Sequence, residues 1–276
     1  MDLSCILLTW NSGAYVGPCL GSLVRDLEAS GRRYEVLVVD NGSTDGTLGV
    51  LAELQRQAPI TVVPLGHNTG TTFSRNIALR MARGRHLAIL DSDIEIAEPG
   101  TMARLLARLK AEPDWGILAP QLRFPSGRYQ KTVDVFPTVT HKARRFLHLR
   151  AMEDAEAAAG PGGEPRPVDY AVSAFWVMPR AVVDRVGLLD ERIFYAPEDV
   201  DYCLRVWLAG YRVVYWPEVT AVHHAQEISR RALFSRSMRE HLKGLAYFWW
   251  KHRFLFSAEG LYRKSQTAEA LKLRDE

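Results

Sequence analysis

The sequence predicts an α/β protein whose central sheet is mostly parallel and flanked by helices. Two observations carry this expectation. Roughly the first hundred residues repeat one unit, a short apolar run rich in branched residues, then a polar turn, then a helical-period segment, which is the grammar of βαβ units. Runs such as Val36-Leu37-Val38-Val39 are continuously apolar rather than alternating, as strands covered on both faces must be.

Taken in order, the apolar runs at 3–9, 34–40, 60–64 and 86–90 read as strands, and the segments between them at 18–30, 44–57 and 71–82 as helices. Beyond Asp93 the pattern changes. A helix is expected over 99–111, a strand over 115–121, a long strand over 168–178, a helix over 200–209 and a short strand over 212–216. The stretch 151–167 is small, acidic and rich in Pro and Gly, so it reads as a loop. There is no internal repeat.

Composition narrows the class. With 276 residues, 47% hydrophobic and 24% charged, the chain can bury a substantial core, which excludes disorder for most of it. The net charge is 35 basic minus 32 acidic, or +3, too small and too evenly spread for a nucleic-acid footprint. Cys5, Cys19 and Cys203 match neither a disulfide framework nor a Cys-x-x-Cys site, so a reducing, cytoplasmic setting is expected. The first residues have no basic n-region, and their apolar run passes straight into Asn11, Gly13 and Pro18, unlike a signal peptide or a membrane span.

Ligands of open parallel sheets bind outside the carboxyl ends of the strands. Three polar clusters fall there, Thr9-Trp10-Asn11, Asp40-Asn41-Gly42-Ser43 and Asp91-Ser92-Asp93, and ordinary turn chemistry is the competing account of each taken singly. The oxygen ligands of Asp91 and Asp93 suit Mg²⁺ or Mn²⁺ shared with a diphosphate, and the alternative is a capped turn. A second constellation, Pro197-Glu198-Asp199-Val200-Asp201, places acids at a helix start, where they serve either as dipole-favoured caps or, for Asp199, as a general base for an acceptor hydroxyl. A third is His223-His224, structural or able to complete a coordination shell begun by Asp93.

In this order the motifs resemble the inverting glycosyltransferases of family two, which have the Rossmann-like GT-A fold. The matching segments are Ile6-Leu7-Leu8-Thr9-Trp10-Asn11, Val38-Val39-Asp40-Asn41-Gly42-Ser43-Thr44-Asp45, Asn68-Thr69-Gly70 with Arg75-Asn76, Asp91-Ser92-Asp93, Gly187-Leu188-Leu189-Asp190-Glu191 and Glu198-Asp199-Val200-Asp201. The resemblance implies that Thr9, Asp40 and Arg75 hold the nucleobase and Asp91 the ribose side. It further implies that Asp93 and His223 bind a Mn²⁺ or Mg²⁺ ion, that Asp199 is the catalytic base, and that Trp176, Asp190 and Glu198 contact sugar or acceptor. The implied donor is a UDP- or dTDP-linked sugar and the acceptor a saccharide, lipid-linked at the inner membrane face, in cell-surface glycan synthesis. This chain departs from many relatives at Ser173-Ala174-Phe175-Trp176, where they have Gly-Ala, and at Thr71-Thr72-Phe73-Ser74, where small residues are usual.

The expected organisation is a catalytic domain over 1–226, with a nucleotide-binding half over about 1–95 and an acceptor-binding half over about 96–226, then a helical segment over 227–276. Between Arg230 and Lys264 nine Lys or Arg face two Glu, a local +7 that leaves about −4 for the rest of the chain. Phe234, Tyr247, Phe248, Trp249, Trp250, Phe254 and Phe256 interleave with these charges. That mixture suits peripheral contact with an anionic membrane, and equally a helix packed on the catalytic domain or in a homodimer interface. Two other functions stay open on sequence alone, a sugar nucleotidyltransferase, for which no Gly-rich phosphate loop follows the first strand, and a catalytically silent nucleotide-binding or scaffold protein.

Overall fold

A computed structural model describes residues 1–141, 163–225 and 236–265. Its main sheet has the order β3-β2-β1-β4-β11-β6-β12-β5. The first four members are β1 (Leu3–Thr9), β2 (Tyr34–Asp40), β3 (Ile60–Pro64) and β4 (His86–Asp91), all parallel, with α1 (Val16–Ala29), α2 (Thr47–Leu54) and α3 (Thr71–Met81) as crossovers. The other members are β5 (Ile94–Glu95), β6 (Trp115–Arg123), β11 (Phe175–Pro179) and β12 (Arg212–His223). β11 runs antiparallel to both β4 and β6, whereas β6 and β12 are parallel to each other. The carboxyl ends of β1, β2, β4, β6 and β12 therefore share one rim.

Side-chain alternation divides the core between the two faces of this sheet, which is why the strands are apolar throughout. Leu3, Cys5, Leu7, Val36 and Val38 pack with α1 and with Met102 and Leu105 of α4 (Thr101–Ala111). Ile6, Leu37, Val39 and Ile89 pack with α3, α5 (Arg180–Val186) and α6 (Glu198–Leu208). All three cysteines are buried and free.

The expected helix over 44–57 shortens to α2 because residues before it are drawn to the first loop. Thr44 N–H donates to Asn11 Oδ1 at 2.8 Å, and Thr47 N–H donates to Asp45 Oδ1 at 3.0 Å. The expected long strand over 168–178 is broken into β10 (Tyr170–Ala171), which pairs with β8 (Val133–Asp134), and β11. Between them Ser173 turns toward Arg75, whose guanidinium donates to its Oγ at 2.7 Å. β12 runs well past the expected end at Trp216, through an irregularity between Trp216 and Thr220, to His223. Most of the expected loop over 151–167 lies outside the described residues, and its described end carries β9 (Arg166–Pro167), paired with β12. These two-residue strands, and β7 (Tyr129–Gln130), are too short for periodicity to reveal.

The C-terminal segment is helical where it is described, as α7 (Arg236–His252) and α8 (Glu259–Ser265), while Phe234 lies outside the described residues. One face of α7 packs on the α6 side of the sheet. Phe248 is completely buried, with rings of His252 and Phe254 at 4.9 and 5.3 Å, and Trp249 Nε1–H donates to the carbonyl of Pro137 at 2.7 Å. Gly244 lies against the carbonyl of Ala196 so closely that a Cβ would collide with it. Among the described residues no helix is long and apolar enough to cross a membrane.

Because Phe248 fills the joint between α7 and the sheet, Phe248→Ala removes both its transfer energy and its packing. The expected loss is about 3–5 kcal/mol in chemical denaturation, with earlier proteolysis within α7. A loss under about 1 kcal/mol contradicts this account of how α7 is held.

Candidate active site

Strand register sets the rim. Thr9 pairs with Asp40 across β1 and β2, and Leu8 pairs with Asp91 across β1 and β4, so the ends of three neighbouring strands present Thr9, Asp40 and Asp91 side by side. Thr9 and Asp40 are both buried. Thr9 Oγ1 donates to Asp40 Oδ1 at 2.8 Å, and the N–H and Oγ of Ser43 donate to the same carboxylate at 2.9 and 2.6 Å. The next loop is tied in by Asn41, whose Nδ2 donates to Asn68 and Gly70 and whose Oδ1 accepts from Thr69. Gly70 has φ +87° and lies against Phe194, a place with no room for a side chain.

Arg75, on α3, joins this rim to the second half of the sequence. Its Nη2 donates to Asp91 Oδ1 at 2.5 Å, and its Nη1 donates to Ser173 Oγ at 2.7 Å and to Glu198 Oε1 at 3.3 Å. Ser173 Oγ in turn donates to Glu198 at 3.2 Å. Arg75 is only 3% exposed, and its Nε is a buried nitrogen with no partner among the described residues. One guanidinium thus serves two carboxylates. Burial raises the carboxyl of Asp91, and burial together with neighbouring Asp199 pushes Glu198 up to about 8. Asp91 has the shorter contact, so Glu198 is the group that keeps its proton near neutrality.

Beyond Asp91 the chain turns and re-enters the sheet as β5, which pairs with the end of β12 so that Ile94 faces His223. The N–H of His224 donates to the carbonyl of Asp93 at 2.9 Å. This clip brings together residues far apart in sequence: His223 Nε2 lies 3.2 Å from Asp93 Oδ1, and ligand atoms from Asp91, Asp93 and His223 all fall within 4.8 Å of one another. On the other side of the ring, His223 Nδ1 meets Gln130 Oε1 of β7 at 3.0 Å. An Nδ1–H donated there leaves the Nε2 lone pair toward the carboxylates, the tautomer that a metal ligand requires. Burial disfavours the imidazolium, but Asp93 and Asp91 outweigh it and hold His223 above its usual value. The cluster therefore attracts positive charge. Two carboxylates and an imidazole form a donor set that fits Mn²⁺ or Mg²⁺.

Asp199 sits in the first turn of α6 beside Glu198 and Asp201, where the helix dipole favours anions. It is partly buried, and its Oδ1 accepts from the N–H of Val200 at 2.8 Å. Glu198 is buried against Arg75 and Ser173, so it contacts protein where sugar or acceptor was expected.

Two expectations are corrected. Trp176 has no exposed surface; its ring lies 6.0 Å from that of Tyr202 and its Nε1–H donates to the carbonyl of Ala171, so it belongs to the core and has nothing to offer a sugar. Asp190 is saturated by donors, the N–H and guanidinium of Arg192, Tyr247 Oη at 2.9 Å and Lys251 Nζ at 2.8 Å. Burial raises its carboxyl, but these donors outweigh burial and hold it well below the usual range, so Asp190 anchors α7. Read alone, the sequence assigns no site role to Gln130 or Lys251, and marks Ser173 only as a departure from relatives and Tyr247 only as one of the C-terminal aromatics. The one available signal was Ser173, a polar residue in place of Gly before β11.

Residues 4–160 match the family model Glycosyl transferase family 2, more than half of the chain, and the protein belongs to that family. It is 27% identical over 279 aligned residues, 94% of this chain and 89% of the other, to an N-acetylglucosaminyl-diphospho-decaprenol L-rhamnosyltransferase of Mycobacterium tuberculosis. Among solved structures it resembles the Mn²⁺ and GDP-Man complex of the mannosyltransferase PcManGT from Pyrobaculum calidifontis, with TM-score 0.63, 19% identity, and 98% and 69% of the two chains covered. It also resembles S. aureus TarS 1-349 in complex with UDP-GlcNAc, with TM-score 0.61, 22% identity and 85% of this chain covered. The chain spans 62% of that TarS structure. Identities this low establish the GT-A architecture, and family membership sets aside the nucleotidyltransferase alternative.

The shared guanidinium makes a pH-dependent prediction. Glu198 binds its proton more tightly when folded than its ordinary value of 4.5 allows, so its contribution is complete below 4.5 and is lost as pH rises toward about 8. Glu198→Gln, which keeps the neutral shape, should gain stability relative to the wild type steadily over that window. Parallel stability curves from pH 5 to 8 would show that Glu198 is ionised throughout.

Proposed function

We propose that the protein is an inverting glycosyltransferase that moves a rhamnosyl residue from a nucleoside diphosphate donor to a saccharide carried on a lipid diphosphate, working peripherally at a membrane in cell-envelope glycan synthesis. The observation that carries this reading is the continuous chain of contacts from the Asp91, Asp93 and His223 cluster through Arg75 and Glu198 to the helix turn that bears Asp199. The name and near full-length match of the mycobacterial relative support the sugar and the acceptor class.

In this reading the loops pinned by Thr9 and Asp40 cradle the nucleobase, and Asp91, oriented by Arg75, faces the ribose side. Asp93 and His223 would hold a divalent cation, which when bound supplies Lewis-acid neutralisation of the departing diphosphate. Asp199 accepts the proton of the acceptor hydroxyl as its oxygen attacks the anomeric carbon. The bond from that carbon to the diphosphate oxygen breaks in the same displacement, which inverts the configuration, and the nucleoside diphosphate leaves with the bonding pair. Glu198, uncharged beside Asp199, spares the base a second adjacent anion. Arg75 acts through Asp91 and Glu198 as a positioning residue.

Asp199→Asn should leave nucleoside diphosphate binding by titration calorimetry nearly unchanged while reducing rhamnosyl transfer to a lipid-diphosphate N-acetylglucosamine acceptor at least about a hundredfold. Wild-type turnover in a correctly folded variant would remove Asp199 from the mechanism.

A further inference from the structure

On the α7 side of the molecule a cavity of about 270 Å³ is lined by Arg192, Tyr247, Trp250, Lys251 and Arg253. Its polar lining is cationic. Arg192 lies over the Tyr247 ring at 4.9 Å, with Trp250 5.8 Å from the same ring. Asp190, in the loop after α5, pairs with two of the lining cations, Arg192 and Lys251, and balances one of the three positive charges. Asp201 also meets Lys251, at 2.6 Å, but its carboxylate is paired with Arg205 as well and is hydrogen-bonded to His252. Arg253 makes no ion pair among the described residues and sits at φ +55°. A surplus of positive charge is therefore held open to solvent between two aromatic rings.

The surroundings say what kind of anion suits it. Trp250 is 72% exposed and Phe256 66%, and Leu255 beside it is also exposed. Along α7 and just past it the exposed residues are Arg239, Leu242, Lys243, Ala246, Trp250 and Arg253, of which Lys243 is paired with the partly buried Glu240 at 2.8 Å, so the stripe is cationic and apolar on balance. A free, fully hydrated phosphate has no use for the apolar flank. An anion carried on a hydrocarbon chain uses both parts, with the charged group against the cations and the chain beside the exposed rings.

We infer that this cavity is a binding site for a phosphate or diphosphate group borne on a lipid, seated between Arg192, Lys251 and Arg253 with its chain passing Trp250, Leu255 and Phe256. The inference deepens the reading of the acceptor as lipid-borne, and the same chemistry can come from a bilayer phospholipid or from a polyprenyl diphosphate. Because α7 packs through Gly244 on Ala196, two residues before Glu198, a lipid held here lies on the element that supports the loop leading to Asp199.

The test is flotation of the full chain, in EDTA to silence the cation site, with vesicles of phosphatidylcholine alone, with added phosphatidylglycerol, or with added polyprenyl diphosphate. Either anionic supplement should promote binding that weakens with salt, and Arg253→Asn and Trp250→Ser should each reduce it at least about tenfold while melting like the wild type. Asn is chosen because it tolerates the left-handed backbone at this position. Binding promoted by phosphatidylglycerol identifies a phospholipid as sufficient, and binding promoted only by polyprenyl diphosphate identifies the carrier. Equal binding to phosphatidylcholine alone, no binding to any vesicle, or anionic binding indifferent to both substitutions overturns the inference. Intact lipid binding without rhamnosyl transfer would instead defeat the proposed function and leave the cavity its role.

Discussion

The arrangement depends on a single buried cation. Arg75 has Asp91 on one side and Glu198 with Ser173 on the other, so the guanidinium joins the end of β4 to the start of α6 across a gap in sequence of more than a hundred residues. A buried guanidinium is tolerated only when it is paired and hydrogen-bonded, and removing one member of such a group leaves an uncompensated charge. This constraint accounts for the broken strand before β11, because the backbone turns there to give Arg75 a hydroxyl. It also accounts for the raised carboxyl of Glu198, which is buried next to Asp199 and shares its one guanidinium with Asp91.

Around this hub the two halves of the molecule contribute different chemistry. The parallel half supplies loops locked by hydrogen bonds, with Asp40 and Asn41 each gathering several donors or acceptors, the rigid frame on which the proposed nucleotide site rests. The later half supplies what must approach it: His223 through the β5–β12 clip, Asp199 through the turn of α6, and the α7 helix that buttresses the loop between them. Asp190 in that loop and Asp201 in α6 tie α7 down through ion pairs with Lys251, and both carboxyls are held low by the donors around them in spite of burial. The C-terminal helix is thereby part of the catalytic body on one face and an open cationic, aromatic surface on the other.

Much of this was legible in the sequence. The four parallel strands announce themselves because they are buried on both faces, and the rim clusters follow because polar turns after such strands have one place to be. The meeting of Asp93 with His223 was readable as a coordination hypothesis but not as geometry, since it depends on the two-residue strand β5, far too short to leave a periodic trace. The misreadings share a cause. Trp176 and Asp190 stand in or beside matching motifs, yet motif position does not say which way a side chain points, and here one faces the core and the other faces Tyr247 and Lys251. The roles of Ser173 and Gln130 were not legible because their partners, Arg75 and His223, are distant in sequence.

The central proposal is that Asp93 and His223, beside Asp91, hold one cation on the rim that Arg75 organises. Anomalous diffraction from crystals grown with Mn²⁺ and a nucleoside diphosphate tests it most directly. The account predicts a single strong peak within bonding distance of the Asp93 carboxylate and His223 Nε2, with the diphosphate on its open side and Gln130 still against His223 Nδ1. A peak elsewhere, or one at Asp93 with His223 turned away, would contradict it.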